Sequence, residues 1–480
     1  MTDTTGLQQL FANALACVGQ GDYQQAAALY QRATEIEPTA FSAWCNLAAM
    51  RLELRQTAEA TAAARQAIAL KHDFGPAWAN LGDALRMTRG QGDASFEAYR
   101  RAAALMPNSP QTLNKLGASL HLRSRFQDAA TILRRAVSLA PGYREARVNL
   151  VTTLMSLQRE EELREVLTSG TQLPDLPAAA RGEWQDALKL LDRNLRMQPQ
   201  LERAVAQNDP EPVLALEGSE PDEQPADDAL VETIRAALPS VGRIGDRFSP
   251  WRPELADLCY AVEAHFSAHL GETVEAIETT RRWLSPAVTA VSTSGTEALD
   301  AKQRDALRYY QLCRHFRAVP GGDARDPISA GGWLRFLHAQ MTWHRPETTP
   351  GQFKIVPNSV TVNPSVIRTP PAQVAGTLNA VCRLSRESAA PGPVRAALIY
   401  FAVADIHPFP DGNGRLGRWL MNYELQAAGF APVVCPDVTK PAFGQALWAV
   451  RRDHDFGPFV AWLADCNAYT QELIGRLAVR

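Results

Sequence analysis

Residues 33–47 read ATEIEPTAFSAWCNL, residues 67–81 AIALKHDFGPAWANL, residues 102–116 AAALMPNSPQTLNKL and residues 136–150 AVSLAPGYREARVNL. Laid in register, Ala33, Ala67, Ala102 and Ala136 share the first column. Pro38, Pro107 and Pro141 share the sixth, with His72 in the remaining copy. Trp44, Trp78 and Leu113 share the twelfth, and Leu47, Leu81, Leu116 and Leu150 the last; Gly82 and Gly117 follow two of these leucines. The unit recurs about every 34 residues, the length of a helix-turn-helix repeat. Small residues stand where two helices touch, large apolar ones fill the space between neighbours, and the proline ends a helix because its ring cannot continue the hydrogen-bond ladder.

These columns resemble the tetratricopeptide repeat (TPR). The resemblance covers residues 6–176, with four clear copies to about residue 143 and a decayed fifth. It implies an α-helical solenoid whose concave surface holds a peptide or helix of a target protein, although some such arrays act as spacers or contacts for self-association. Residues 184–199 (WQDALKLLDRNLRMQP) predict one more amphipathic helix ended by Pro199 and capping the repeats. Residues 209–228 (DPEPVLALEGSEPDEQPADD) are acidic and proline-rich, which predicts a linker without a core of its own. The expected division is therefore repeats over 6–176, cap and linker over 177–228, and a second, mainly helical domain over 229–480.

Within that second domain, residues 395–406 (RAALIYFAVADI) and 415–428 (RLGRWLMNYELQAA) read as two apolar helices, and His407-Pro408-Phe409-Pro410-Asp411-Gly412-Asn413-Gly414 lies between them. A glycine-rich loop at a helix entrance presents unpaired N–H groups and a dipole that favours an anion, so a phosphate is its natural occupant. Asn413 is placed to donate its side-chain amide to the same oxygens. Arg415 and Arg418, three residues apart on the first turn, share a face and suit further phosphates. Asp411 is a hard oxygen ligand where nucleotide-bound Mg²⁺ needs one, and His407 can take a proton from a hydroxyl near neutral pH.

The stretch HPFPDGNGRLGR is similar to the Fic signature HxFx[D/E]GNGRxxR, with every fixed position present. The resemblance implies that His407 is the general base, Asp411 the magnesium ligand, Gly412, Asn413 and Gly414 the anion hole, and Arg415 and Arg418 the arms on the β- and γ-phosphates. AMP would then pass from ATP to a Ser, Thr or Tyr hydroxyl of a target protein. Removal of AMP, transfer of UMP or phosphocholine, and an idle fold serving a TPR scaffold are the alternatives. Phe353, Lys354, Val360, Thr361 and Val362 resemble the family's flap, a small β-hairpin that docks the target's extended segment; Lys354 stands where arginine is common. An inhibitory glutamate pairing Arg418 has two candidates, Glu278 in TVEAIETT (273–280) and Glu297 in TSGTE (293–297).

Composition sets the remaining expectations. Hydrophobic residues make up 46% and charged residues 21%, with a net charge of −3, so the chain is globular and lacks the basic field that non-specific nucleic-acid binding requires. Seven scattered cysteines without CxxC spacing argue against a disulfide framework or structural zinc. No basic segment leads into an apolar one at Met1-Thr2-Asp3-Thr4, and no long apolar run follows, which predicts a cytoplasmic protein away from membranes.

Overall fold

The computed structural model describes residues 4–479 except 89, 175, 218–224, 241–246, 272, 285–298, 317–330, 358–368, 388–391 and 437–438. The chain divides into two compact units, Met1–Leu176 and Pro177–Arg480.

In the first unit, five antiparallel helix pairs follow one another: Thr4–Gly19 with Tyr23–Ile36, Phe41–Glu53 with Thr57–Leu70, Gly75–Arg86 with Gly92–Leu105, Pro110–Leu122 with Phe126–Leu139, and Arg144–Ser156 with Glu160–Thr171. The first-column alanines, Ala33, Ala67, Ala102 and Ala136, are all fully buried, which is why nothing larger stands there. The twelfth column has a second task. Trp44 Nε1 donates to the Pro38 carbonyl at 2.9 Å, and Trp78 Nε1 to the His72 carbonyl at 2.8 Å. Arg147 occupies the same column in the fourth copy and repeats the bond, Nη2 donating to Pro141 O at 3.0 Å. In three of the four copies the column thus carries a donor that satisfies a carbonyl six residues earlier, in the turn between helices; Leu113 carries none. The turns inside the pairs repeat as well: Gly21, Arg55, Gly90, Ser124 and Gln158 all have positive φ.

Gly82 lets two helices of one pair approach, since a Cβ there would lie 2.5 Å from the Tyr99 ring, whose hydroxyl is held by Asp83 at 2.8 Å. Gly82→Leu should therefore lower stability by roughly 1–3 kcal/mol, outweighing a helix-propensity gain of about 0.8 kcal/mol; the midpoint of denaturant unfolding reads it.

In the second unit the helix Gly392–Ile406 is buried on nearly every side, with Leu398, Phe401 and Ile406 fully enclosed. An all-round apolar helix has to be central. It packs against Asn413–Ala427, and the core around them extends to Gly331–Thr342, Ala301–His315 and Gly457–Ala478. No strand is present among the described residues, so the expected β-hairpin is not seen; Val360, Thr361 and Val362 lie outside the described residues. No helix among the described residues is long and apolar enough to cross a membrane.

The structure departs from the expected cap and linker. The helix containing Trp184 runs over Ala178–Gln207 with Pro199 inside it, and it belongs to the second unit. Met197, Leu201 and Ala204 are fully buried there, and this burial outweighs the roughly 3 kcal/mol that an internal proline costs. The acidic stretch is not free either: Glu211–Glu217 is a helix whose Val213 is fully buried in the same core. Asp227 caps the helix Asp228–Ala237 through Leu230 N, and its own N–H donates to Thr377 Oγ1 at 2.8 Å. A few anchoring residues override a composition that, averaged, reads as linker.

Candidate active site

The loop 407–414 leaves the central helix at its C-terminal end and delivers the chain to the N-terminus of Asn413–Ala427. His407 is the first residue beyond the helix; its N–H still donates to Val403 O at 3.1 Å, yet its φ is +54°. A residue with a Cβ held in the left-handed region costs about 1 kcal/mol, so the surroundings must hold it there. With Nδ1 donating to the Ala404 carbonyl at 3.4 Å, the lone pair falls on Nε2.

Gly412 caps the next helix with φ +82°. A Cβ there would come within 2.8 Å of His338 Nε2, so both conformation and space demand glycine. The first helical bond in this turn runs from Leu416 N to Gly412 O, leaving the amides of Asn413, Gly414 and Arg415 ahead of the ladder and directed outward from the helix end. Gly414 is exposed, and a Cβ on it would lie 3.4 Å from Arg418 Nη1. The cradle and one arginine therefore adjoin. Asn413 corrects the expectation for its side chain. The amide is buried and bidentate on Phe409, accepting from its N–H at 3.0 Å and donating to its carbonyl at 2.8 Å. It closes the loop, and only its backbone N–H faces the cradle.

Asp411 is exposed at the lip. Oδ1 accepts from Gly412 N at 2.7 Å and Oδ2 lies 3.8 Å from Arg345. One outward carboxylate with spare lone pairs fits Mg²⁺ that keeps its waters and shares phosphate oxygens. Among the described residues no cluster of three His, Cys, Asp or Glu is placed to hold a metal.

The two arginines are held from opposite sides. Arg415 Nη1 meets Asp305 Oδ1 at 2.5 Å, and the same carboxylate takes His344 Nε2 at 2.9 Å and Arg345 Nη1 at 3.3 Å. Burial would raise the Asp305 pKa, but the His344 hydrogen bond and the charges of Arg415 and Arg345 outweigh it and hold the carboxyl below its ordinary value. Arg418 Nη2 donates to Ser267 O at 3.4 Å. Burial works against its charge, while Tyr400, Cys435 and Tyr309 prevail and keep it protonated. Glu278, on the helix Val274–Trp283, lies 4.0 Å from Arg282 of that same helix. Glu297 lies outside the described residues.

Phe353 and Lys354, expected on the docking flap, are buried, with 3% and 2% exposure. Their side chains turn inward toward the loop. The sequence reading missed this support, along with Asp305, Arg345 and His338. His338 is fully buried, stacked on Phe409 at 3.9 Å between ring centres. It accepts from Gly351 N at Nδ1, 2.8 Å, and so carries its proton on Nε2, which donates to Asp411 O at 2.9 Å. Burial pushes its pKa down to about 4.

Because that value lies below the ordinary 6.5, the unfolded chain takes up the proton first. The stabilisation is complete above about pH 6.5 and lost as pH falls through about 4, a swing of about 3 kcal/mol. Unfolding free energies of wild type and His338→Asn measured across this window should differ in slope by close to one proton; parallel slopes would show that His338 is protonated in the fold.

Residues 332–425 match the Fic/DOC family, and residues 29–62 match a tetratricopeptide repeat. Over 90 residues the chain is 40% identical to the protein adenylyltransferase Fic of Drosophila virilis, the match covering 18% of each chain. Over 78 residues it is 41% identical to the protein of the same name from Drosophila melanogaster, covering 16% of each. The chain thus spans less than a fifth of the length of the curated relatives it matches. A thermophilic TPR protein of Thermus thermophilus is 19% identical, with a TM-score of 0.33, covering 38% of this chain and 98% of that one. By its family matches the chain carries a Fic/DOC segment over residues 332–425 and, before it, a tetratricopeptide-repeat match over residues 29–62.

Proposed function

We propose that this chain is a protein adenylyltransferase that moves AMP from ATP to a hydroxyl of a target protein. The observation that carries the reading is the sharing of one short loop by His407 and the amide cradle 413–415, with two positioned arginines at its rim. The matched segment's likeness to relatives named adenylyltransferase supports it.

In this reading the amides of Asn413, Gly414 and Arg415 hold phosphate oxygens, and the guanidinium groups of Arg415 and Arg418 orient the polyphosphate. Asp411 would hold Mg²⁺, which supplies charge neutralisation across the phosphates when bound. His407 Nε2 takes the proton of the incoming hydroxyl as its oxygen forms a bond to the α-phosphorus. The bond from that phosphorus to the bridging oxygen breaks, and pyrophosphate leaves. Catalysis comes from alignment and preorganised charge. The repeats supply a surface for the target.

His407→Ala should lower AMP transfer about 100- to 10,000-fold while ATP affinity stays within a few-fold, read by labelled-ATP transfer and calorimetry. Chelation of Mg²⁺ should abolish transfer reversibly. Intact mass of a candidate partner after incubation with ATP and Mg²⁺ decides the class: a gain other than one AMP, or none, would end this reading. A brake at Glu278 would pair its carboxylate with Arg418, so Glu278→Gly should raise self-labelling with labelled ATP; an unchanged rate would leave the brake to Glu297 or to no glutamate at all.

A further inference from the structure

We propose that the segment Gly351–Lys354 is a brace that sets the position of His407, with Lys354 as its positioning residue. The inference rests on the reading of His407 as the base only for its kinetic consequence. The geometry of the brace stands without it.

Lys354 grips the loop on both sides of His407. Its Nζ donates to Ile406 O at 2.9 Å, and its backbone N–H donates to Pro408 O at 2.9 Å. Ile406 is the last residue of the central helix, so its carbonyl is one of those the helix leaves unpaired, at the end where the dipole favours a cation. An ammonium this deeply buried is tolerated only against such partners. The residue between the two grips is the one with φ +54°. A left-handed histidine at a helix end relaxes unless the chain around it is fixed, and Lys354 fixes the peptide that enters His407 and the one that leaves Pro408.

The brace is itself anchored. Arg335, fully buried, donates from Nη1 to Gly351 O at 3.1 Å and lies 3.9 Å from the centre of the Phe353 ring. Asn194 donates to Phe353 O at 2.8 Å. The Phe353 ring meets Phe409 at 5.1 Å, and Gly351 N–H reaches Asp411 O through His338. Three of these four successive residues thus touch or address the loop, at positions 406, 408, 409 and 411. A strip serving only to dock a target would expose Phe353 and Lys354. Here both are buried.

A displacement of about 1 Å at a reacting group costs on the order of 100-fold in rate. In the full-length chain, Lys354→Met should lower kcat for AMP transfer about 10- to 100-fold and leave the ATP dissociation constant within twofold, because the cradle 413–415 and the arginines are untouched. Amide hydrogen exchange in the peptide spanning 404–410 should accelerate at least about tenfold while the peptides of the repeats keep their rates. Lys354→Arg, which retains a donor and charge, should restore most of both. Lys354→Gln, too short to reach Ile406 O, serves if the methionine variant does not fold and should behave as it would. Unchanged exchange in this peptide, or ATP affinity falling in step with kcat, would overturn the brace. Should the wild type transfer no AMP, the adenylyltransferase reading is lost, and the exchange measurement still decides the brace.

Discussion

His338 can accept from Gly351 N–H and donate to Asp411 O at the same time only as the neutral imidazole with its proton on Nε2. That constraint propagates outward. The ring is fully buried, so its ionised form would leave a charge in the core and set two donors against one donor and one acceptor. Its Nε2 occupies the space in which a side chain at position 412 would begin, so glycine follows there. With Gly412 turned left-handed, the next amides come free of the loop and point out of the helix end. The anion cradle is thus a consequence of packing one uncharged histidine beneath it.

The loop was legible because its chemistry is contiguous. Base, carboxylate, glycines and arginines fall within residues 407–418, and no folding is needed to bring them together. What the reading could not supply is everything that reaches the loop from afar. Asp305, His338 and Arg335 stand roughly 70 to 110 positions upstream, on helices whose amphipathic pattern shows which face is buried but not what that face touches. Asn413 shows a different limit. Its amide is equally able to bind phosphate or to close a turn, and only the distances to Phe409 decide. Lys354 was read from its likeness to the flap, and no local signal marks the helix-end carbonyl that receives its ammonium.

The repeats were legible for the opposite reason: a column recurring at a fixed period averages out individual exceptions. His72 for proline and Arg147 for tryptophan both break the pattern by residue type. In the structure neither breaks the physics, since His72 still offers its carbonyl to Trp78 and Arg147 still donates to the carbonyl six residues before it. Composition alone served less well. The acidic stretch after residue 208 is linker-like on average, yet Val213 and Asp227 are enough to fasten the described parts of it to the second unit. Averages over twenty residues conceal two anchors.

Charge at the site poses a last problem, because Asp305 sits on Arg415, where a phosphate is proposed to bind. A carboxylate that merely neutralised the arginine would defeat it. Guanidinium, however, has five N–H donors in a rigid plane, and a carboxylate contact at one nitrogen leaves donors on the others while removing rotational freedom. Asp305 also draws in Arg345, which in turn approaches Asp411. Counting Arg345, Arg415 and Arg418 against Asp305, Asp411 and Glu347 leaves these side chains without net charge, with most of the side-chain ordering already completed before a ligand arrives. Attraction for a polyphosphate then rests on the amides and dipole at the helix N-terminus and on the guanidinium donors the carboxylates leave over. What the acidic residues remove from the field they return as preorganisation, which matters more in transfer chemistry governed by alignment.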